Sequence, residues 1–142
     1  MPSTLVYSDS IVGPLAAELP GLRDTVRQSD RDAAWVRVTG ELDLATAPQL
    51  ELPLRKAQLR ARLVVLDLRQ LTFMDCAGMH VVVAASNHAR QAGAHLVLVR
   101  GPSNVDRLFT LTGTSDVLEI VDLDPIARPA LALVKLGQYA AA

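Results

Sequence analysis

Leu63-Val64-Val65-Leu66-Asp67-Leu68 is an almost continuous apolar run rich in branched side chains. A segment that short and that uniformly apolar reads as a strand buried on both faces, which is the habit of a central strand in a parallel sheet. A second such run, His95-Leu96-Val97-Leu98-Val99, follows at a distance that admits one intervening helix. Ala77 to Gln91 supplies it, with Met79, Val82, Val83 and Ser86 on one face, His80, Asn87, His88 and Arg90 mostly elsewhere, and Gly93 as its stop.

The same alternation extends in both directions. Ala34 to Gly40 places Val36 and Val38 on one face and Trp35, Arg37 and Thr39 on the other, as a strand does. The polar stretch Ser29 to Asp32 suits a turn from a short strand around Asp24 to Gln28. Thr46 is positioned as the N-cap of a helix opening at Ala47-Pro48, whose inner face carries Leu50, Leu54 and Ala57, and Pro53 is expected to kink it. Downstream, Ser103 to Asp106 reads as a capping-box-like start to a short helix ending before Gly113. Val117 to Val121 reads as the last strand, and Asp124-Pro125 as the opening of a final helix with Ile126, Ala130, Leu133 and Val134 inward. Strands alternating with helices predict an α/β domain built from right-handed βαβ units. Residues 1–28, with Pro14, Pro20, Gly13 and Gly21 and no sustained period, read as an irregular arm, which leaves 29–142 as the domain.

Composition narrows the function classes. Half of the 142 residues are hydrophobic but only 4% are aromatic, so the core is aliphatic. A net charge of -1 offers no excess of cations for a phosphate backbone, and no nucleic-acid partner is expected. No run approaches the roughly 18 apolar residues that span a bilayer, and Met1 to Thr4 lacks a secretory pattern, so a cytoplasmic location without direct membrane contact is expected. The single cysteine, Cys76, has no internal disulfide partner, and a lone thiol fits a reducing compartment. His80, His88 and His95 are not spaced as a ligand set, so neither a metal nor another cofactor is expected. Arg55, Arg60 and Arg62 read as a solvated face.

One junction carries the chemistry. Phe73-Met74-Asp75-Cys76-Ala77-Gly78-Met79 enters a helix whose first turn holds only small residues, which lets another surface approach its amides, and Asp75 can cap them. These residues permit two readings, a cap with tight packing or a docking and modification point. His80, four residues after Cys76, shares its helical face. Because Asp75 opposes thiolate formation and no oxyanion hole is apparent, the pair is not read as catalytic and no enzyme activity is expected.

Gly40-Glu41-Leu42-Asp43-Leu44-Ala45-Thr46-Ala47-Pro48, then Val64 to Leu68, then Phe73 to Met79, with Gly93 to Val99 and Val105 to Gly113 following in order, resembles the STAS family of anti-sigma factor antagonists. The resemblance covers about Asp24 to Gln138. It implies the STAS fold, a small, mixed, mostly parallel sheet with about four helices. It also implies a protein that binds an anti-sigma factor of the GHKL-type serine kinase class and so releases a sigma factor. In phosphorylated members the junction reads Asp-Ser-Ser-Gly or Asp-Ser-Thr-Gly, and the Ser after the Asp accepts the phosphate. That position is Cys76 here, the second hydroxyl position is Ala77, and both hydroxyls are missing. Asp43 matches a residue near the phosphorylation site.

The partner-binding set implied by the resemblance is Asp43, Thr46, Asp75, Cys76, Ala77, Gly78 and Met79. Asp43 and Cys76 are expected within about 10 Å of each other at one edge of the sheet, the distance of a Debye length at modest salt. A monomer or weak dimer is expected. Two other functions compete, a redox sensor switched at Cys76 and a STAS subunit of a transport complex.

Overall fold

The computed structural model describes residues 5–11 and 33–123, with side-chain surroundings for 34–123. Its elements run β1 (Leu5–Ile11), β2 (Ala33–Leu42), α1 (Ala47–Arg60), β3 (Leu63–Met74), α2 (Cys76–Gln91), β4 (His95–Val99), α3 (Ser103–Leu111), a 3-10 turn (Thr114–Asp116) and β5 (Glu119–Val121). The five strands form one sheet in sequence order. β1 is antiparallel to β2, and every later pairing is parallel. The expected mixed, mostly parallel α/β architecture is therefore present.

β3 lies at the centre because it is apolar on both faces, and each residue from Leu63 to Leu68 is buried. Val64, Leu66 and Leu68 join Val36, Val38, Leu96 and Leu98 in the main core with the inner faces of the helices. On the other face of the sheet Trp35, Val65 and Val97 are buried as well. Asp67 shares that second face and is 1% exposed. A carboxylate in such a place requires a counter-charge. Arg69, two residues on along the strand, grips it with Nε 3.0 Å from Oδ1 and Nη2 2.9 Å from Oδ2, while Arg37 Nε of β2 stands 3.7 Å from Oδ2.

Several expectations need correction. Leu5 to Ile11, inside the stretch read as an irregular arm, is a strand whose register runs from Leu5 opposite Gly40 to Ile11 opposite Ala34. Its polar centre, Ser8-Asp9-Ser10, hides the alternation, and a strand tolerates such residues where, as here among the described residues, one side of it has no strand neighbour. The kink expected at Pro53 is not one of these corrections, and α1 runs on past Pro53 to Arg60. Pro53 is itself buried beside Leu50, Leu54 and Ala57, so packing of that face against the sheet outweighs the lost amide. Ser103 is the first helical residue of α3 rather than its cap, which is Pro102, and Asp106 bonds Arg100 instead of closing a capping box. β5 begins at Glu119, two residues later than expected. The strand expected around Asp24 to Gln28 and the final helix with Ile126, Ala130, Leu133 and Val134 lie outside the described residues.

Arg100 ties the far edge together, with Nη1 on Asp106 at 2.5 Å and Nε on Asp122 at 2.6 Å. The hydrogen bond to Asp122 raises its pKa above the ordinary arginine value, so it stays cationic throughout the working range.

Candidate functional site

The site forms where β2 and β3 end side by side. Leu42, the last residue of β2, pairs with Met74, the last of β3, so Asp43 and Asp75 leave the same edge of the sheet. The approach is not a plain ladder. Between Arg37 opposite Asp67 and Leu42 opposite Met74, β2 advances five residues and β3 seven, which places two bulges in β3. Each bulge moves the inward-facing position by one residue. The buried residues are accordingly Leu68, Leu71 and Met74, while Gln70, Thr72 and Phe73 face solvent. Thr72 fastens this protruding pair by donating to the Gly40 carbonyl at 3.0 Å, and Asn104 of α3 donates to the Thr72 carbonyl at 2.9 Å.

Asp43 turns the chain from β2 toward α1. Its Oδ1 accepts the amides of Ala45 at 3.0 Å and Thr46 at 3.1 Å, and its carbonyl accepts the Ala47 amide at 2.7 Å. Thr46 stands at the N-cap of α1, yet its side chain makes no cap hydrogen bond. Its hydroxyl points back into the turn, donating to the Glu41 carbonyl at 2.7 Å and accepting the Asp43 amide at 2.9 Å. With 1% exposure Thr46 presents no surface to a partner and acts instead as the knot of the turn.

Asp75 is the N-cap of α2, as expected, and it does more than cap. Oδ1 accepts the amides of Ala77 at 2.9 Å and Gly78 at 3.1 Å, Oδ2 accepts the amide of Leu44 at 3.0 Å, and its own amide donates to the Leu42 carbonyl at 3.1 Å. Cys76, the first residue of α2, is exposed, and no hydrogen bond joins it to exposed His80. Ala77 packs partly against the core.

Gly78 is buried, and the structure shows why no side chain could stand there. A Cβ would lie 2.6 Å from the Leu42 carbonyl oxygen and 2.7 Å from Leu42 Cγ. The first turn of α2 thus rests directly on the end of β2. Met79 is 5% exposed and accepts a contact from the Thr112 hydroxyl at 3.1 Å, so it too supports the surface from beneath. Of the seven expected residues, Asp43, Asp75, Cys76 and Ala77 reach the surface, while Thr46, Gly78 and Met79 do not.

Sequence reasoning missed Leu44 and Phe73, which stand 78% and 45% exposed at this edge. The apolar letters of Leu68, Leu71 and Met74, with Phe73 left over, carried the signal, but it is decodable only once the bulges are known. A shallow groove of about 430 Å³ between α1 and α2 lies along the later turns of both helices, with Leu54, Leu59, Val81 and Ala85 in its walls. Among the described residues no three His, Cys, Asp or Glu side chains come together as a metal site, and no helix is long and apolar enough to cross a membrane.

Residues 25–125 match the model of the STAS domain. An anti-sigma-B factor antagonist of Listeria monocytogenes is 34% identical over 100 residues, which cover 70% of this chain and 88% of the relative. Among solved structures, the anti-sigma factor antagonist SpoIIAA in its unphosphorylated form aligns with a TM-score of 0.62 at 19% identity, covering 76% of this chain and 90% of that one. An anti-sigma factor antagonist from Mycobacterium paratuberculosis aligns with a TM-score of 0.65 at 20% identity, covering 93% and 95%.

Proposed function

We propose, from the premise that this chain belongs to the STAS-domain family, that it is an anti-sigma factor antagonist, a regulator that binds an anti-sigma factor and so releases a sigma factor for transcription. The observation that carries the reading is the 34% identity to the Listeria anti-sigma-B factor antagonist across most of both chains. The docking surface is the edge that carries Asp43, Asp75, Cys76 and Ala77, supported by Thr46, Gly78 and Met79. It acts by binding rather than by catalysis, in the cytoplasm, on a partner of the GHKL-type serine kinase class, and as a monomer or weak dimer.

The switch follows from electrostatics. A phosphoserine at the position of Cys76 would add roughly 1.5 to 2 negative charges beside Asp75 and Asp43. Repulsion and bulk would then expel a partner that docks there. Cys76 is close to serine in shape but is a poor phosphoryl acceptor, so this chain is held in its binding-competent form. The redox reading rests on the exposure of Cys76 alone, and the transport reading on no residue described above.

Co-purification of the tagged chain from its source cells, with mass-spectrometric identification of what it retains, tests the proposal. Recovery of an anti-sigma kinase, and displacement of a sigma factor from that kinase by the pure chain, are expected. A permease component in its place would overturn it.

A further inference from the structure

Two large apolar side chains stand in solvent at the edge that carries Cys76. Leu44 is 78% exposed and Phe73 45%. Scattered apolar residues on a surface are ordinary, but these two are held in place by their surroundings. The Leu44 amide is bonded to Asp75 Oδ2 at 3.0 Å, and the next two amides, of Ala45 and Thr46, are bonded to Asp43 Oδ1. Phe73 sits opposite Glu41 just beyond the second bulge, on a strand fastened by the Thr72 and Asn104 hydrogen bonds. Backbone held in this way loses little freedom when a partner arrives, which is the condition under which exposed apolar groups contribute most to affinity.

The charge within the two segments that carry them has one sign. The segments 39–49 and 70–80 contain Glu41, Asp43 and Asp75 and neither Lys nor Arg. Resting on the anti-sigma factor reading above, we propose that Leu44 and Phe73 are the apolar anchors of the docking surface, and that the anti-sigma factor receives them in an apolar pocket rimmed by Lys or Arg. Leu44 is tied to Asp75 and Phe73 lies two residues before it, so a charge added at Cys76 would stand at the same edge, beside the acidic rim.

The test measures the dissociation constant of the purified anti-sigma factor identified by co-purification against variants of the full chain. Leu44→Ala and Phe73→Ala should each weaken binding about tenfold, with circular dichroism and melting unchanged. Leu44→Met should bind as the unaltered chain does. Leu59→Ala, which removes another exposed leucine at the far end of α1, should change nothing. Binding should weaken as salt rises, because the rim is electrostatic. If both alanine variants bind within about twofold of the unaltered chain, or if Leu59→Ala is equally weak, the anchors are refuted, and salt-independent binding refutes the basic rim. No retention of any anti-sigma factor by the unaltered chain is a different failure, since it removes the functional reading and the inference with it.

Discussion

The carboxylate of Asp75 accepts the amide of Leu44 at 3.0 Å, joining two residues 31 positions apart in the chain. The other oxygen of the same group caps α2 through Ala77 and Gly78. One side chain therefore fixes both the loop after β2 and the start of the helix after β3. Neither piece can rearrange without releasing the other.

Replacing Asp75 by Ala should cost about 1–2 kcal/mol, the ordinary loss of a cap, at the upper end because a third amide is released as well. Urea unfolding followed by circular dichroism measures it. Hydrogen exchange should accelerate at Leu44 as well as at Ala77 and Gly78. Fast exchange confined to the helix would show that the link to Leu44 carries no weight.

Gly78→Ala tests the contact between α2 and the end of β2. The added methyl would meet a backbone oxygen, Leu42 O, at 2.6 Å, and backbone yields less readily than a flexible side-chain tip. Overpacking of this kind costs about 1–3 kcal/mol, although alanine is the better helix former. A melting point equal to or above that of the unaltered chain would contradict the geometry.

At Cys76 the sign of the added charge should decide the outcome. Cys76→Asp and Cys76→Glu are expected to weaken anti-sigma factor binding by at least about 1.5 kcal/mol, while Cys76→Ala stays close to neutral. All three should fold, since the residue is exposed. Calorimetry showing full affinity for the acidic variants would move the docking surface elsewhere.

Incubation with the cognate kinase and labelled ATP should leave the peptide from Phe73 to Met79 unlabelled, because neither Cys76 nor Ala77 carries a hydroxyl. Cys76→Ser should create an acceptor. Label on the unaltered peptide would falsify the view that this chain is held in its binding form.

The buried pair in β3 gives a stability test remote from the site. Arg69→Met leaves Asp67 with the backbone amide of residue 69, 3.1 Å from Oδ1, and with Arg37 as its one remaining cation among the described residues, Nε 3.7 Å away. A loss of about 3 kcal/mol is expected, at the low end for a broken buried pair because Arg37 remains. Asp67→Asn together with Arg69→Met should recover part of it, and a double variant weaker than both single ones would argue against a charge-pair origin.

Much of this was readable in advance because parallel sheets announce themselves. Leu63 to Leu68 and His95 to Val99 are apolar on both faces, and they fell where the sequence placed them. Asp75 was legible as a cap because a short acceptor before small residues has few other uses. Past Leu68 the reading failed for a definable reason. Leu68, Leu71 and Met74 recur at intervals of three, a spacing foreign to a regular strand, so the strand seemed to end six residues early. Bulges depend on how two strands fit together, and no single strand records them. Thr46 misled for a similar reason, since its hydroxyl had a better partner behind it, at Glu41, than ahead of it.

The two bulges in β3 also bear on how this stretch can change over generations. Because each shifts the inward phase by one and together they restore it, Met74 arrives beside Leu42 facing the core. Gain or loss of one codon between Arg69 and Phe73, with the number of bulges unchanged, would shift the inward phase once more. Met74 would turn outward, and Asp75 would be carried roughly 3.3 Å along the strand, out of reach of the Leu44 amide. Substitutions can accumulate on the solvent side here, at Gln70, while the length of the segment stays fixed.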